Sequence, residues 1–132
     1  MWFKRSHQPP IRSLIGEGVR FEGVLHFTDG LRIDGEVVGD VIALGDEPTL
    51  LVISEKSRIH GKVKAGHVII NGEVIGPVES ADLLELQPKA RIVGDIRYQL
   101  LEMHAGASVE GELRPLKIEA RPTLTLATSN AA

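Results

Sequence analysis

The side chains of this 132-residue chain that could do chemistry are five histidines, His7, His26, His60, His67 and His104, and a scatter of carboxylates, with no cysteine among them. A catalytic base or a metal site needs partners at a set spacing, such as the two histidines and glutamate of H-E-x-x-H. None of the five histidines recurs with a carboxylate or a second histidine in that way, so each is expected to be a solvated surface imidazole. His60 occupies the same slot of a repeated phrase as Glu22, Val38, Ile75, Val93 and Glu110, which suits an outward position with no set role. Carboxylates such as Asp40, Glu85, Asp95 and Glu112 read as a solvated face, although a stacked aspartate ladder could hold a divalent cation adventitiously. The absence of cysteine excludes disulfides, thiolate metal sites and thiol nucleophiles, and suits a reducing compartment. Nucleotide chemistry is disfavoured as well: "GEGVRF" at 16–21 lacks the third glycine of a dinucleotide fingerprint, and no phosphate-cradling G-x-x-x-x-G-K-[ST] occurs. No catalytic, cofactor-binding or metal-binding residue is assigned, no cofactor is expected, and the chain is expected not to be an enzyme. Its net charge of −3, from 15 basic and 18 acidic residues, leaves no global positive field for a nucleic acid backbone.

What the sequence does carry is repetition. The pattern apolar, any, Gly, any, apolar occurs around Gly23, Gly39, Gly61, Gly76, Gly94 and Gly111, which stand 16, 22, 15, 18 and 17 residues apart by their numbering. Upstream of five of the copies lies a second alternating apolar pair: Leu31/Ile33, Leu51/Ile53, Val68/Ile70, Leu84/Leu86 and Leu101/Met103; the first copy has only Ile15 in a comparable place. Alternation at two-residue spacing marks short strands with one buried face, and a recurring period of about 17 residues marks a stacked architecture. No segment sustains an apolar pattern at helical spacing, and 14 glycines and 7 prolines punctuate the chain too often for long helices. The expected fold is all-β: a parallel β-helix of about six coils, roughly 4.8 Å apart, forming a rod on the order of 30 Å long.

The bends fall into two kinds. "LRIDGEVVGDV" at 31–41 and "VIINGEVIGPV" at 68–78 share the short turns "DGE" and "NGE", where Asp-Gly or Asn-Gly is expected to supply a positive φ. Three other coils use the five-residue links "SEKSR", "QPKAR" and "HAGAS". The recurrent glycine reads as a corner, or as a place too crowded for a side chain. Pro77, which has no N–H for a strand ladder, requires a bend or a break in pairing at its position. The segment from Ala43 to Thr49 reads as a surface-loop insertion, because the repeat keeps its register on both sides.

The run from Leu14 to Pro115, with its "xGxV" units and the phrases "RIHGKV", "ARIVGDI" and "GASVEGEL", resembles the bactofilins, polymer-forming cytoskeletal proteins of bacteria. The resemblance implies a right-handed, triangular β-helix over 14–114 with flexible tails at 1–13 and 115–132. It also implies end-to-end assembly into nucleotide-independent, nonpolar filaments that act as scaffolds at the cytoplasmic membrane. Where the family tends to carry a large aromatic in its last coils, this chain has Met103 and Val109, and the nearest aromatic is Tyr98.

An uncapped β-helix presents unpaired backbone groups and open core at each end, which favours polymerisation. The candidate polymer interface is therefore Phe21 and Leu25 at one end and Leu101, Met103, Val109 and Leu113 at the other. The N-terminal "MWFKRSHQPPIRS" combines the single tryptophan with an adjacent aromatic and three cations, and has no acidic residue before Glu17. Met1, Trp2, Phe3, Lys4 and Arg5 are accordingly the candidate membrane-binding residues: rings at the headgroup boundary, charges on anionic lipid, strengthened by display of many tails on one filament. The expected partners are a homopolymer of this chain, the cytoplasmic membrane surface, and cell-wall, division or polarity proteins, with no nucleic acid. The longest apolar runs, such as "LLVI" at 50–53, are far below the roughly 20 residues needed to span a bilayer, and the N-terminus lacks the apolar stretch of a signal peptide, so the expected location is cytoplasmic and peripheral to the membrane. The rival reading is a hexapeptide-repeat acyltransferase on a left-handed β-helix, whose strict six-residue period the irregular coil lengths fit badly.

Overall fold

Runs of three to five residues with alternating polarity, each closed by glycine or a polar turn, make strands too short to be stable alone; burial comes only from stacking one run on the next. In the computed structural model, residues 8–116 are described, and every one of their strands pairs in parallel with the strand one coil away. Coil 1 comprises β1 (Ile11–Ile15), β2 (Arg20–Glu22) and β3 (Leu25–Phe27); coil 2 comprises β4 (Gly30–Ile33), β5 (Glu36–Val38) and β6 (Val41–Ala43). Coil 3 follows with β7 (Leu50–Ile53), β8 (Arg58–His60) and β9 (Val63–Ala65), and coil 4 opens with β10 (His67–Ile70) and β11 (Glu73–Ile75). The long β12 (Val78–Leu86) closes coil 4, rounds a corner and opens coil 5, which continues through β13 (Arg91–Val93). In the same way β14 (Ile96–Met103) passes from coil 5 into coil 6, which ends with β15 (Ser108–Glu110) and β16 (Leu113–Pro115). The result is an all-β, three-faced parallel solenoid of six coils, and no helix occurs among the described residues.

Register places like on like. Leu31, Leu51, Val68, Leu84 and Leu101 stack in one interior column, and Ile15, Ile33, Ile53, Ile70, Leu86 and Met103 in a second. Phe21, Val37, Ile59, Val74, Ile92 and Val109 form the column of the second face. Leu25, Val41, Val63, Val78, Ile96 and Leu113 line the third face. Members of these columns in coils 2 to 5 are buried, forming one continuous apolar core. Outside, Arg20, Glu36, Arg58, Glu73 and Arg91 lie over one another on the second face, alternating in sign and opposing a slip of register.

The repeated glycines are a corner ladder. Gly23, Gly39, Gly61, Gly76, Gly94 and Gly111 have φ between +133° and +158°, a region open almost only to glycine. From Gly39 onward, a Cβ would also collide with the carbonyl oxygen of the glycine one coil earlier. The residue after each of these glycines sits on the outer corner, and its N–H is not part of a strand ladder. Lys62 and Glu112 donate theirs to the carboxylates of Asp40 and Asp95 in the preceding coil, each at 2.9 Å. Pro77 occupies this slot, where a missing N–H breaks no pairing, and its carbonyl still accepts from Val63 at 2.9 Å.

The short turns differ from the sequence expectation. Gly35 of "DGE" and Gly72 of "NGE" do not have positive φ. They are required because a Cβ on Gly35 would lie 2.4 Å from Val19 O, and one on Gly72 2.2 Å from Ser54 O. Contact with the coil beneath, and not turn conformation, selects glycine there. The longer links are hydrogen-bonded turns, with Ser57, Ala90 and Ala107 donating to the carbonyls of Ser54, Gln87 and His104. The insertion leaves the body after β6 and returns at the buried Thr49, whose hydroxyl accepts from Gly66 N at 2.8 Å, so Leu50 resumes pairing opposite Gly30 without loss of register.

Candidate assembly ends and flank of the rod

Among the described residues, the strands of coils 1 and 6 each have a partner on one side only, so each end of the rod presents three strand edges and the last members of the interior columns. The structure gathers Phe21 and Leu25 at the coil 1 end and Leu101, Met103, Val109 and Leu113 at the coil 6 end. Phe21, Leu25, Leu101 and Val109 are half-buried against the core. Met103 and Leu113 remain 46% and 43% exposed, whereas their column partners Leu86 and Ile96 are fully buried. Sequence reasoning missed Ile11, Leu14, Val19 and Val24 at the first end and Leu100 at the last, all exposed. These lie off the interior columns, and their signal was an apolar residue at an outward slot of a terminal coil.

The two ends are partly blunted. β1 pairs irregularly with β4 between Ile11 and Ser13, which distorts its outer edge. Leu116 N donates back to Tyr98 O at 2.7 Å, so the alternate position, Pro115, is the one that would point an N–H off the end, and proline has none. The second face has neither device: β2 and β15 end in regular register. Tyr98 packs half-buried against the core at the corner where coil 5 becomes coil 6.

The candidate membrane-binding residues Met1, Trp2, Phe3, Lys4 and Arg5 lie outside the described residues, as does His7. The described chain begins beside the rod's middle: Gln8 Nε2 is 3.0 Å from Nδ1 of His67 on coil 4, and the Pro10 carbonyl lies against Gly30 of coil 2. Residues 8–10 therefore run along the flank, and residue 8 sits clear of both ends. His26 and His60 are exposed as expected. His67 and His104 depart from that expectation. Both are half-buried and each lies beside a glutamate: stacking brings Glu85 of coil 5 to His67 of coil 4, while Glu102 precedes His104 by two residues on the same coil. The Ser54 hydroxyl, the largest influence, together with the Arg32 guanidinium 3.0 Å away, holds the Asp34 carboxyl below the usual range against the opposing effect of burial.

A three-faced solenoid whose core is uncovered at both ends among the described residues is the architecture of a building block for longer rods, and residues 13–114 match the bactofilin family, described as polymer-forming cytoskeletal. The chain belongs to the bactofilin family. Bactofilin BacO of Myxococcus xanthus (strain DK1622) is 27% identical over 111 residues, covering 84% of this chain and 85% of BacO. Bactofilin BacP of the same organism is 25% identical over 101 residues, covering 76% of this chain but only 40% of BacP. No solved structure matches the chain significantly. This bactofilin is accordingly a polymer-forming cytoskeletal protein, and among its described residues no helix is long and apolar enough to cross a membrane.

Proposed function

We propose that this bactofilin is a scaffold whose rods join end to end, without nucleotide, into filaments tethered to the cytoplasmic membrane by Met1–Arg5, and that these filaments position cell-envelope or morphogenesis proteins. The observation that carries the reading is the state of the interior columns: they run without interruption through coils 2 to 5 and finish half-exposed at Met103 and Leu113, uncapped by any helix among the described residues. A second rod stacked on that end would extend every column and pair the edge strands, which is how repeat arrays gain stability. The position of Gln8 on the flank supports the tether, because a tail leaving there does not obstruct a joint. The rival acyltransferase requires a strict six-residue period, which corner glycines 16, 22, 15, 18 and 17 residues apart by their numbering do not keep.

The test is sedimentation and negative-stain microscopy of the full chain without nucleotide. Thin fibres are expected, and Met103→Glu with Leu113→Glu should leave a folded, dispersed monomer, because a joint would bury both charges without partners. A wild-type chain that stays monomeric, or a double variant that still makes fibres, would reject end joining through these residues. Removal of residues 1–5 should abolish pelleting with vesicles containing anionic lipid while fibres persist; unchanged pelleting would reject the tether alone.

A further inference from the structure

We propose that the flank of coils 4 to 6 carries a Zn²⁺ site built by Glu85, Glu102 and His104. One ligand atom from each of the three lies within 4.8 Å of the other two. Glu85 and Glu102 stand directly opposite each other across the parallel pairing of β12 with β14, an arrangement that is unfavourable for like charges. Among the described residues, the ion-pair contacts of these two carboxylates are to His67 and His104 alone. A divalent cation relieves that repulsion.

The orientation of the groups supplies the second observation. Nε2 of His104 is shielded from solvent yet makes no hydrogen bond, although an oxygen of Glu102 is 3.2 Å away. With no hydrogen-bond partner among the described residues, that nitrogen is available to a ligand held beside the Glu102 carboxylate. Zn²⁺ binds imidazole nitrogen and carboxylate oxygen at about 2.0–2.2 Å, which sets two ligands of one tetrahedral ion about 3.3 Å apart. Glu85 is held for the purpose: Gln87 Nε2 donates to its Oε2 at 2.9 Å, and His67 Nε2 lies 3.4 Å from its Oε1. With the Gln8 amide donating to His67 Nδ1, the imidazole proton is on Nε2 and points at Glu85. One imidazole with two carboxylates favours zinc over magnesium or calcium, which take oxygen alone. The site joins coil 5 to coil 6 next to Met103, so bound zinc would clasp the terminal coil to the rod.

The experiment is competition of the full chain against a chromophoric chelator for Zn²⁺ alone. One ion per chain is expected, undisturbed by excess Mg²⁺ or Ca²⁺. Gln87→Ala should weaken binding about 10- to 100-fold, as loss of a group that orients a ligand does; His104→Ala should weaken it further, and His60→Ala should leave it unchanged. X-ray absorption of the zinc-loaded wild type should show one imidazole with oxygen ligands, independent of how any variant folds. No saturable binding, a His104→Ala protein that binds as the wild type does, or a coordination shell with two or more imidazoles would overturn the site.

Discussion

The corner ladder allows two contributions of glycine to be separated by a single comparison, Gly76→Ala against Gly23→Ala. Both positions have strongly positive φ, +146° and +133°, so each alanine carries a backbone strain of about 1–3 kcal/mol. They differ in what lies beneath. A Cβ on Gly76 would be 2.2 Å from Gly61 O, whereas one on Gly23, in the first coil, would meet only the Phe21 ring at 3.8 Å. Attractive contacts between non-bonded atoms sit at about 3.5–4.0 Å, so Gly23→Ala needs no movement and Gly76→Ala must force coils 3 and 4 apart. Those coils are held at that corner by Gly61 N to Ile75 O at 3.0 Å and Val63 N to Pro77 O at 2.9 Å. At about 1 kcal/mol net per bond, loosening both adds about 2 kcal/mol to the strain. The expected destabilisation is therefore about 1–3 kcal/mol for Gly23→Ala and about 3–5 kcal/mol for Gly76→Ala. The assay is urea unfolding by far-UV circular dichroism in the Met103→Glu, Leu113→Glu background, reading the midpoint at constant slope. Equal midpoint shifts would refute the claim that close stacking, beyond the local conformation, selects glycine at this corner.

Ile59→Ala empties a fully buried slot in the middle of the second-face column and should cost about 2–5 kcal/mol in the same assay, while Val109→Ala, in the same column at the open end, should cost less; equal losses would mean that the terminal slot is as well packed as the interior. Ser54→Ala removes the largest influence on the Asp34 carboxyl, so its titration followed by carbon NMR should move up toward the ordinary aspartate value, and an unmoved titration would assign the shift elsewhere. Because the Asp34 pKa is lowered in the folded state, its contribution to stability is present above the unfolded-state value and is lost as pH falls through the folded-state value; Ser54→Ala should therefore flatten the acid limb of the stability curve, and an unchanged limb would contradict the sign. Asp95→Ala leaves the Glu112 N–H without its acceptor on an exposed corner where water can replace it, so a small loss is expected, about 1 kcal/mol, concentrated in amide exchange of coil 6.

The solenoid, the number of coils and the interior columns were legible because each rests on a local signal: alternation over three to five residues and a glycine at a recurring slot. Val37, Ile59, Val74 and Ile92 could be aligned from sequence since each precedes its glycine by the same step. What stayed hidden depends on the coil beneath, about 17 residues away. Gly35 and Gly72 look like turn glycines by local rules, and only the carbonyls of Val19 and Ser54 pressed against them reveal the real constraint. For Pro77 the sequence allowed either a bend or a break in pairing, and only the stacking reveals the corner slot, served elsewhere by side chains such as Asp40 and Asp95, that makes it a bend. The histidines show the same limit. His104 reads as solvated beside its own neighbours, yet one coil's advance from Glu85 brings Glu102 alongside, and that coil period was the signal that a search for fixed short motifs passed over.

In a solenoid each coil is stabilised by its neighbours, so a coil with one neighbour is the least stable part of the molecule. Coil 6 shows this in its own residues: Met103 and Leu113 keep nearly half their surface in contact with water, where their partners one coil inward keep none. Burying what remains of two such side chains is worth about 2 kcal/mol, taking about half of the usual value for each, or roughly thirtyfold in the association constant of a joint. Joining and folding of the end coils then draw on the same contacts, and anything that orders coil 6 in advance lowers the entropy lost when the joint forms. A zinc ion held between Glu85 on coil 5 and Glu102 and His104 on coil 6 would do this from the flank without covering the joint. Zinc should therefore lower the concentration at which fibres appear in the wild type and have no such effect in His104→Ala, which separates ordering of the last coil from simple bridging between filaments, since bridging would thicken bundles without moving the onset.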